Sequence, residues 1–123
     1  MSNKIIPIFT TRGDVEAFLF YPHLFNRAGE WIGWVTADRQ IYSVHGHYVG
    51  WLNNDWRILR RESEAYDRAR QTPPARPKSI TPPASAPLPP MMPDLQAGVI
   101  DVLDEAPDLL PSIDYGDLRE DMD

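Results

Sequence analysis

Apolar and polar residues follow each other in short runs over the first half of the chain, and these runs recur. Residues 29–35 (GEWIGWV) match residues 46–52 (GHYVGWL) in register at a spacing of seventeen, and residues 13–19 form a weaker third copy. An apolar pair precedes the Gly of each copy by four or five residues. Internal similarity at a fixed period marks a repeated structural unit, so we consider it before assigning secondary structure to single segments. The pattern predicts three copies of one unit.

Each copy is typical of a β-hairpin. Its residues divide into a short strand, a turn that ends in Gly13, Gly29 or Gly46, and a longer strand. Glycine fits there because a tight hairpin turn needs a residue that tolerates positive φ. A fourth copy starts at Ile58, but Ser63 occupies the position of the turn glycine. We therefore predict an all-β domain over residues 1–66, with three clear hairpins and a partial fourth, that folds independently.

The longer strands share a small central residue. Ala17, Gly33 and Gly50 occupy equivalent positions. Glycine inside a strand is unfavourable, so its recurrence indicates a close approach of neighbouring backbones. Phe18, Trp34 and Trp51 occupy the opposite face at matched positions, so both faces are largely apolar.

These features give the chain a resemblance to a known family. The repeated pattern aromatic-x-x-x-Gly-x-x-x-Gly-Trp-apolar resembles the bacterial four-fold β-flower proteins, in which hairpin petals surround a pseudo-four-fold axis. The resemblance covers about residues 5–66. It implies the fold, and it implies no chemistry.

The second half has a different composition. Residues 67–93 are basic and Pro-rich, and Pro removes the backbone donors that a helix or central strand needs. This segment is predicted to be an extended or disordered linker, with Pro-x-x-Pro pairs at 74/77, 87/90 and 90/93 that could bind an aromatic groove. Residues 94–123 form an acidic tail, with a short helix predicted over 95–105.

The charge of the chain is divided in the same way. The net charge of −6 combines 11 basic and 8 acidic residues (+3) in 1–93 with 1 basic and 10 acidic residues (−9) in 94–123. The basic segment 57–78 could contact nucleic acid, with the acidic tail as an internal competitor. Interspersed acids and the overall acidity make nucleic acid an unlikely partner.

No residue pattern indicates an enzyme, and we predict no catalytic, cofactor-binding or metal site. His45 and His47 flank a turn glycine without a third ligand, and Asp38 and Asp55 lie in turn sequences that favour Asp. No run of apolar residues is long enough for a membrane span. With no cysteine and no signal peptide, we expect a cytoplasmic protein.

The sequence therefore favours a protein-binding or scaffolding module. The expected partner is a protein that binds the acidic tail, and a homo-oligomer is a second option, since a 60-residue domain is marginal alone. Large apolar residues in an acidic background are typical of a segment that orders on its partner. The predicted contact residues are Trp34, Trp51, Leu109, Leu110, Ile113, Tyr115 and Leu118.

Overall fold

A single curled sheet of eight antiparallel strands forms the protein in a computed structural model, which describes residues 4–62 and 68–113. The strands lie in the sheet in the order of the chain, and a short helix and one 3-10 turn follow them. Their bounds are β1 Ile6–Phe9, β2 Val15–Phe20, β3 His23–Asn26, β4 Trp31–Val35, β5 Gln40–Ser43, β6 Tyr48–Leu52, β7 Ile58–Arg61, β8 Val99–Asp101, α1 Val102–Glu105 and the 3-10 turn Pro107–Leu109.

The strands pair as four hairpins, which we call petals 1 to 4. Petals 1, 2 and 3 are β1–β2, β3–β4 and β5–β6, and the predicted turn glycines close them with φ of +90°, +84° and +88°. Each of these glycines donates its N–H to the carbonyl three residues earlier. The three hairpins predicted from the repeat are thus present, with the expected left-handed residue at each tip.

Petal 4 is completed by a strand from the second half of the chain. Strand β7 pairs with β8, whose residues Val99–Asp101 belong to the predicted acidic tail. The sheet therefore does not end at residue 66, and the helix predicted over 95–105 is restricted to Val102–Glu105. Residues 62–98 join the two strands of this petal. The hydrogen bond from the N–H of Glu62 to the carbonyl of Gly98 (2.8 Å) closes the pairing at its tip.

The small residues of the longer strands lie where neighbouring petals approach closely. A Cβ on Gly33 would lie 2.4 Å from the carbonyl oxygen of Tyr42, and one on Gly50 would lie 1.9 Å from that of Leu59. Both carbonyls belong to the first strand of the next petal. Real Cβ atoms do not approach backbone that closely, so the predicted crowding between petals is the reason for these glycines.

A bulge in petals 1 to 3 changes which side chains reach the core. The pairing shifts by one residue in each of these hairpins, for example between Leu24 and Phe25. Because a bulge adds a residue to one strand, simple alternation along that strand fails. As a result Ile32 packs in the core with Val35, whereas Trp31 packs in a separate cluster with Phe25. Strict alternation would instead place Trp31 and Val35 on one face.

The core combines residues from all four petals with two from the segment after β8. Val102 is fully buried and Leu110 is 5% exposed, and both belong to the main cluster. The other buried members are Ile8, Ala17, Leu19, Leu24, Ile32, Val35, Ile41, Val49, Leu52 and Ile58. Burial of apolar area drives folding, so the segment 99–110 is part of the folded unit.

A candidate protein-interaction surface on the petals

The Pro-rich segment, residues 71–93, crosses the tips of three petals; we call it the belt. The N–H of Gln71 donates to the carbonyl of Gly46 (3.0 Å), and the N–H of Ile80 donates to the carbonyl of Gly29 (3.0 Å). Pro89 lies against Gly13. The belt thus meets petals 3, 2 and 1 in that order, opposite to the order of the petals in the chain.

Two of the tip glycines are needed for the belt as well as for the turn. A Cβ on Gly29 would lie 1.9 Å from the carbonyl oxygen of Ile80, and one on Gly46 would lie 2.1 Å from that of Gln71. The side chain of Ile80 also packs against the cluster of Phe25, Trp31 and Val44. The belt is therefore bonded through its backbone and, at petal 2, through an apolar side chain.

The outer side of the belt carries apolar side chains that no other part of the described chain covers. Leu88 is 90% exposed and Met91 is 97% exposed. Tyr21, at 60%, is the other large hydrophobic residue exposed in the described ranges. Leu88 and Met91 lie three residues apart in the belt.

A buried polar cluster closes the ring between petals 1 and 4; we call it the seam. The carboxylate of Asp101 (Oδ2) accepts from the backbone N–H of Thr11 (2.6 Å) and from its hydroxyl (2.8 Å). Arg57, 1% exposed, donates to both carboxylate oxygens of Asp55 (3.0 and 2.6 Å) and to the Thr11 hydroxyl (3.1 Å). The N–H of Phe9 donates to the carbonyl of Trp56 (2.8 Å).

The pKa values of the two carboxyl groups of the seam, Asp55 and Asp101, are shifted in opposite directions. Burial raises the pKa of Asp101, whose Oδ1 is buried without a partner among the described residues, although hydrogen bonds from Thr11 act to lower it. For Asp55, burial acts to raise the pKa, but the hydrogen bonds from Arg57 and Asn53 outweigh it, so the pKa is lowered. The guanidinium and the hydroxyl of this cluster donate to protein acceptors, so the seam joins petals 1 and 4.

Five arginines of the basic segment 57–78 make contacts within the described part of the protein. Arg57 belongs to the seam, and Arg60 donates to the carbonyl of Val49 (2.9 Å). The guanidinium of Arg70 donates to the carbonyl of His45 (3.0 and 2.6 Å). Two further guanidinium groups lie over aromatic rings, Arg61 over Trp51 at 5.4 Å and Arg68 over Tyr48 at 3.8 Å. These contacts give the basic residues a structural role.

The predicted contact residues do not form one exposed surface. Trp34 is 8% exposed and stacks on Tyr42 with ring centroids 5.3 Å apart, and Trp51 is half-buried beside Arg61. Of the tail residues, Leu110 lies in the core, Leu109 packs against it, and Ile113 packs against the cluster beneath the belt. These three side chains contact their own domain, and their role as partner contacts stays a prediction. Tyr115 and Leu118 lie outside the described residues.

The remaining candidates lie in turns. His45 and His47 flank the tip of petal 3 on the surface, and their backbone N–H groups face the Ser43 hydroxyl at 3.3 Å. Asp38 bonds locally to Thr36. Within residues 4–62 and 68–113, no group of three or more His, Asp or Glu side chains could hold a metal ion. None of the helices in the same ranges has the length and apolar character to cross a membrane.

The sequence carries a signal for the belt, but that signal indicates only a linker. Proline content predicts an extended segment, and nothing in it indicates which surface the segment lies against. The nine-residue spacing of Gln71, Ile80 and Pro89 becomes meaningful only once the petal tips are located. The exposure of Leu88 and Met91 escapes sequence reasoning for the same reason.

Comparison with known proteins agrees with this architecture. The model of the 4-fold beta flower protein family matches residues 6–102, which are 97 of the 123 residues and include the belt and β8. No curated protein and no solved structure matches the chain. Four hairpin petals in one curled sheet, together with this match over most of the chain, show that the protein belongs to the family of 4-fold beta flower proteins.

Proposed function

We propose that this protein is a non-enzymatic protein-binding module, in which the petals act as a scaffold that holds the belt at the surface for a protein partner. The observation that carries the proposal is the combination of two backbone hydrogen bonds that fix the belt to petal tips with two apolar side chains, Leu88 and Met91, that point into solvent. A segment that is already ordered loses less conformational entropy when a partner binds it.

The belt replaces part of the tail as the site of the proposed contact. Leu109, Leu110 and Ile113 already pack on the petals, so removing them from the domain would cost the apolar burial that they provide. The stretch beyond residue 113, with Tyr115 and Leu118, stays a prediction as a second contact. A cytoplasmic location and self-association also stay predictions.

The nucleic-acid alternative finds less support in the geometry. Binding to phosphates requires guanidinium groups that can reach a backbone, whereas Arg57 is buried and ion-paired with Asp55. Arg60 and Arg70 donate to carbonyl groups of the petals. We therefore assign Arg57, Arg60 and Arg70 to the scaffold.

Site-specific photo-crosslinking tests the proposal on the full chain in cells that express it. A benzophenone amino acid replaces Leu88 or Met91, and the control replaces Ala37, an exposed turn residue that is distant in sequence from the belt. We expect positions 88 and 91 to give the same covalent protein adduct and position 37 to give none. No adduct from the belt, or an adduct of equal yield from Ala37, would contradict the proposal.

A further inference from the structure

The belt residues 86–93 have little conformational freedom. Pro87, Pro89, Pro90 and Pro93 fix φ near about −65°, and each residue that precedes a proline is pushed towards extended conformations. Such a run favours a polyproline II helix with three residues per turn, in which residues three apart share a face. The belt segment therefore has three faces, and each can be assigned from exposure and contacts.

One of the three faces lies against petal 1 and two are open. Pro89 has its Cγ 3.3 Å from the position of a Cβ on Gly13, and Met92, three residues on, is half-buried. Leu88 and Met91, which share the next face, are the most exposed large apolar side chains described. Pro87 and Pro90 share the third face and are also exposed, and Pro90 borders a cleft beside Gly13 at the tip of petal 1.

The structure separates the three Pro-x-x-Pro pairs of the sequence. Pro74 and Pro77 are half-buried. Pro93 is tied to the seam, since its carbonyl accepts from the buried Arg57 (3.1 Å). Pro87 and Pro90 are both exposed next to the face of Leu88 and Met91, and neither donates to or accepts from the seam, so we take the pair at 87/90 as the presented one.

We infer that residues 87–91 are a preformed polyproline ligand for a partner domain with a groove lined by aromatic side chains. The inference rests on the proposed function and names its partner class. Grooves of this kind recognise polyproline II segments by packing aromatic rings between prolines and neighbouring apolar residues. In this chain Pro87 and Pro90 supply the prolines, and Leu88 and Met91 supply the apolar neighbours.

The described residues of a second copy of this chain offer no such groove. Among the described residues, Tyr21 is the sole exposed large aromatic side chain. The tryptophans of the petals are buried or covered, Trp34 by Tyr42 and Trp51 by Arg61. We therefore infer that the aromatic surface belongs to a different protein.

The test uses the full chain and a panel of purified aromatic-groove domains of SH3 type and WW type, with tryptophan fluorescence of the groove as the signal. We expect at least one domain to bind, and Leu88→Asp/Met91→Asp to weaken its Kd by about tenfold or more. The variant Pro87→Ala/Pro90→Ala should also weaken binding to that domain. Both belt faces are exposed, so these variants should melt at the wild-type temperature, and that is checked first.

Matched controls lie in the same belt. Ser85→Asp adds one charge at an exposed position, and Pro74→Ala/Pro77→Ala removes a proline pair of the same spacing that is half-buried. Both should leave the Kd within about twofold of wild type. A loss of binding in Pro74→Ala/Pro77→Ala equal to that in Pro87→Ala/Pro90→Ala would overturn the inference, as would the absence of binding to every domain of the panel.

Sedimentation of the full chain tests the alternative occupant of the belt, a second copy of this chain. A dimer that Leu88→Asp/Met91→Asp dissolves would show that a second copy covers the belt, and it would overturn the inference. Crosslinks from positions 88 and 91 to a protein without an aromatic groove would overturn the polyproline inference while leaving the proposed protein-binding function standing.

Discussion

Petals 1 to 3 and petal 4 occupy the same sheet and contribute to the same core, but the chain builds them differently. In each of the first three, a short turn joins the two strands and a glycine of positive φ closes the tip. In petal 4, β7 ends at Arg61 and its partner β8 begins at Val99. The belt, which lies between these two strands in the chain, crosses the tips of the other three petals.

This difference shows that a repeat can be completed in space where it is broken in sequence. Petal 4 pairs in regular register from Leu59 to Arg61, without the shift that the other petals have. Its junction with petal 1 combines the hydrogen bonds of Asp101, Thr11 and Arg57 with one backbone bond, from the N–H of Phe9 to the carbonyl of Trp56, whereas the other junctions are strand pairs. The fourth unit is therefore the one that depends on distant residues.

The largest expected effect follows from removing the distant part of petal 4. A chain ending at residue 70 lacks β8, Val102 and Leu110, and it leaves one edge of β7 unpaired. We expect it to lose cooperative thermal unfolding, since a domain of this length is already marginal. A chain ending at residue 113 is the control. A cooperative melt of the 70-residue chain at the wild-type temperature would show that three petals suffice.

Gly50→Val tests the junctions that the repeat does encode. Its Cβ would meet the carbonyl oxygen of Leu59 at 1.9 Å, which the sheet can relieve only by moving petal 4 away from petal 3. We expect a loss of about 3 kcal/mol or more in the free energy of unfolding, at the upper end of overpacking costs.

The control for Gly50→Val is Gly98→Asn. A Cβ there meets no atom within 4 Å, and Asn tolerates the φ of +82°. We expect its free energy of unfolding to stay near that of wild type. Equal urea midpoints for the valine variant and wild type would refute the close approach of the petals.

Leu110→Ala measures how much the segment after β8 contributes to the core. Leu110 is 5% exposed, and its Cδ2 lies 3.1 Å from the position of a Cβ on Gly33. Truncation of a buried Leu costs about 2–5 kcal/mol. Leu88→Ala, at 90% exposure, is the matched control and should change the free energy of unfolding by less than about 0.5 kcal/mol. Similar losses in both variants would contradict the assignment of Leu110 to the core.

The smallest effect concerns the pH dependence of the seam. Burial raises the pKa of Asp101 in the folded protein, so the folded state binds that proton more tightly than the unfolded state. Protonation therefore stabilises. The quantity to follow is the free energy of unfolding of wild type minus that of Asp101→Asn. We expect this difference to increase as the pH falls from neutral through the raised pKa of Asp101. It should level off below pH 3.8, where the carboxyl of the unfolded chain is also protonated.

Asp55 acts in the opposite direction, because its lowered pKa means that stability is lost on acidification. It is present in both proteins, so it cancels in the difference between wild type and Asp101→Asn. Urea denaturation of both proteins over a pH series measures that difference. A difference that shrinks as the pH falls would contradict the raised pKa of Asp101.

The features that could be predicted from the sequence are local ones. The turn glycines at 13, 29 and 46 are recognisable by a spacing that needs no knowledge of the fold. The crowding at Gly33 and Gly50 could be inferred as well, because a repeated glycine inside a strand needs a steric reason. These features depend on residues within about one repeat of each other.

The rest depends on contacts that local patterns do not encode. Val99–Asp101 is a three-residue strand next to acidic residues, too short for any periodicity to indicate that it pairs with Ile58–Arg61. Leu110 looks like an isolated apolar residue in an acidic tail until the gap above Gly33 is known. The bulge in petal 2 places Ile32 in the core with Val35, which a strict alternation of faces along the strand does not predict.

The even steps of the belt set a limit on how the chain can change its length. Gln71, Ile80 and Pro89 reach successive petal tips at intervals of nine residues, and the tips are fixed by the sheet. Ordinary surface loops tolerate an inserted residue, but an insertion between these contacts would shift every later belt residue by one position relative to the petal tips. We therefore expect insertions and deletions in the belt between its contacts with Gly46 and Gly13 to destabilise the protein more than those in the other connections between strands.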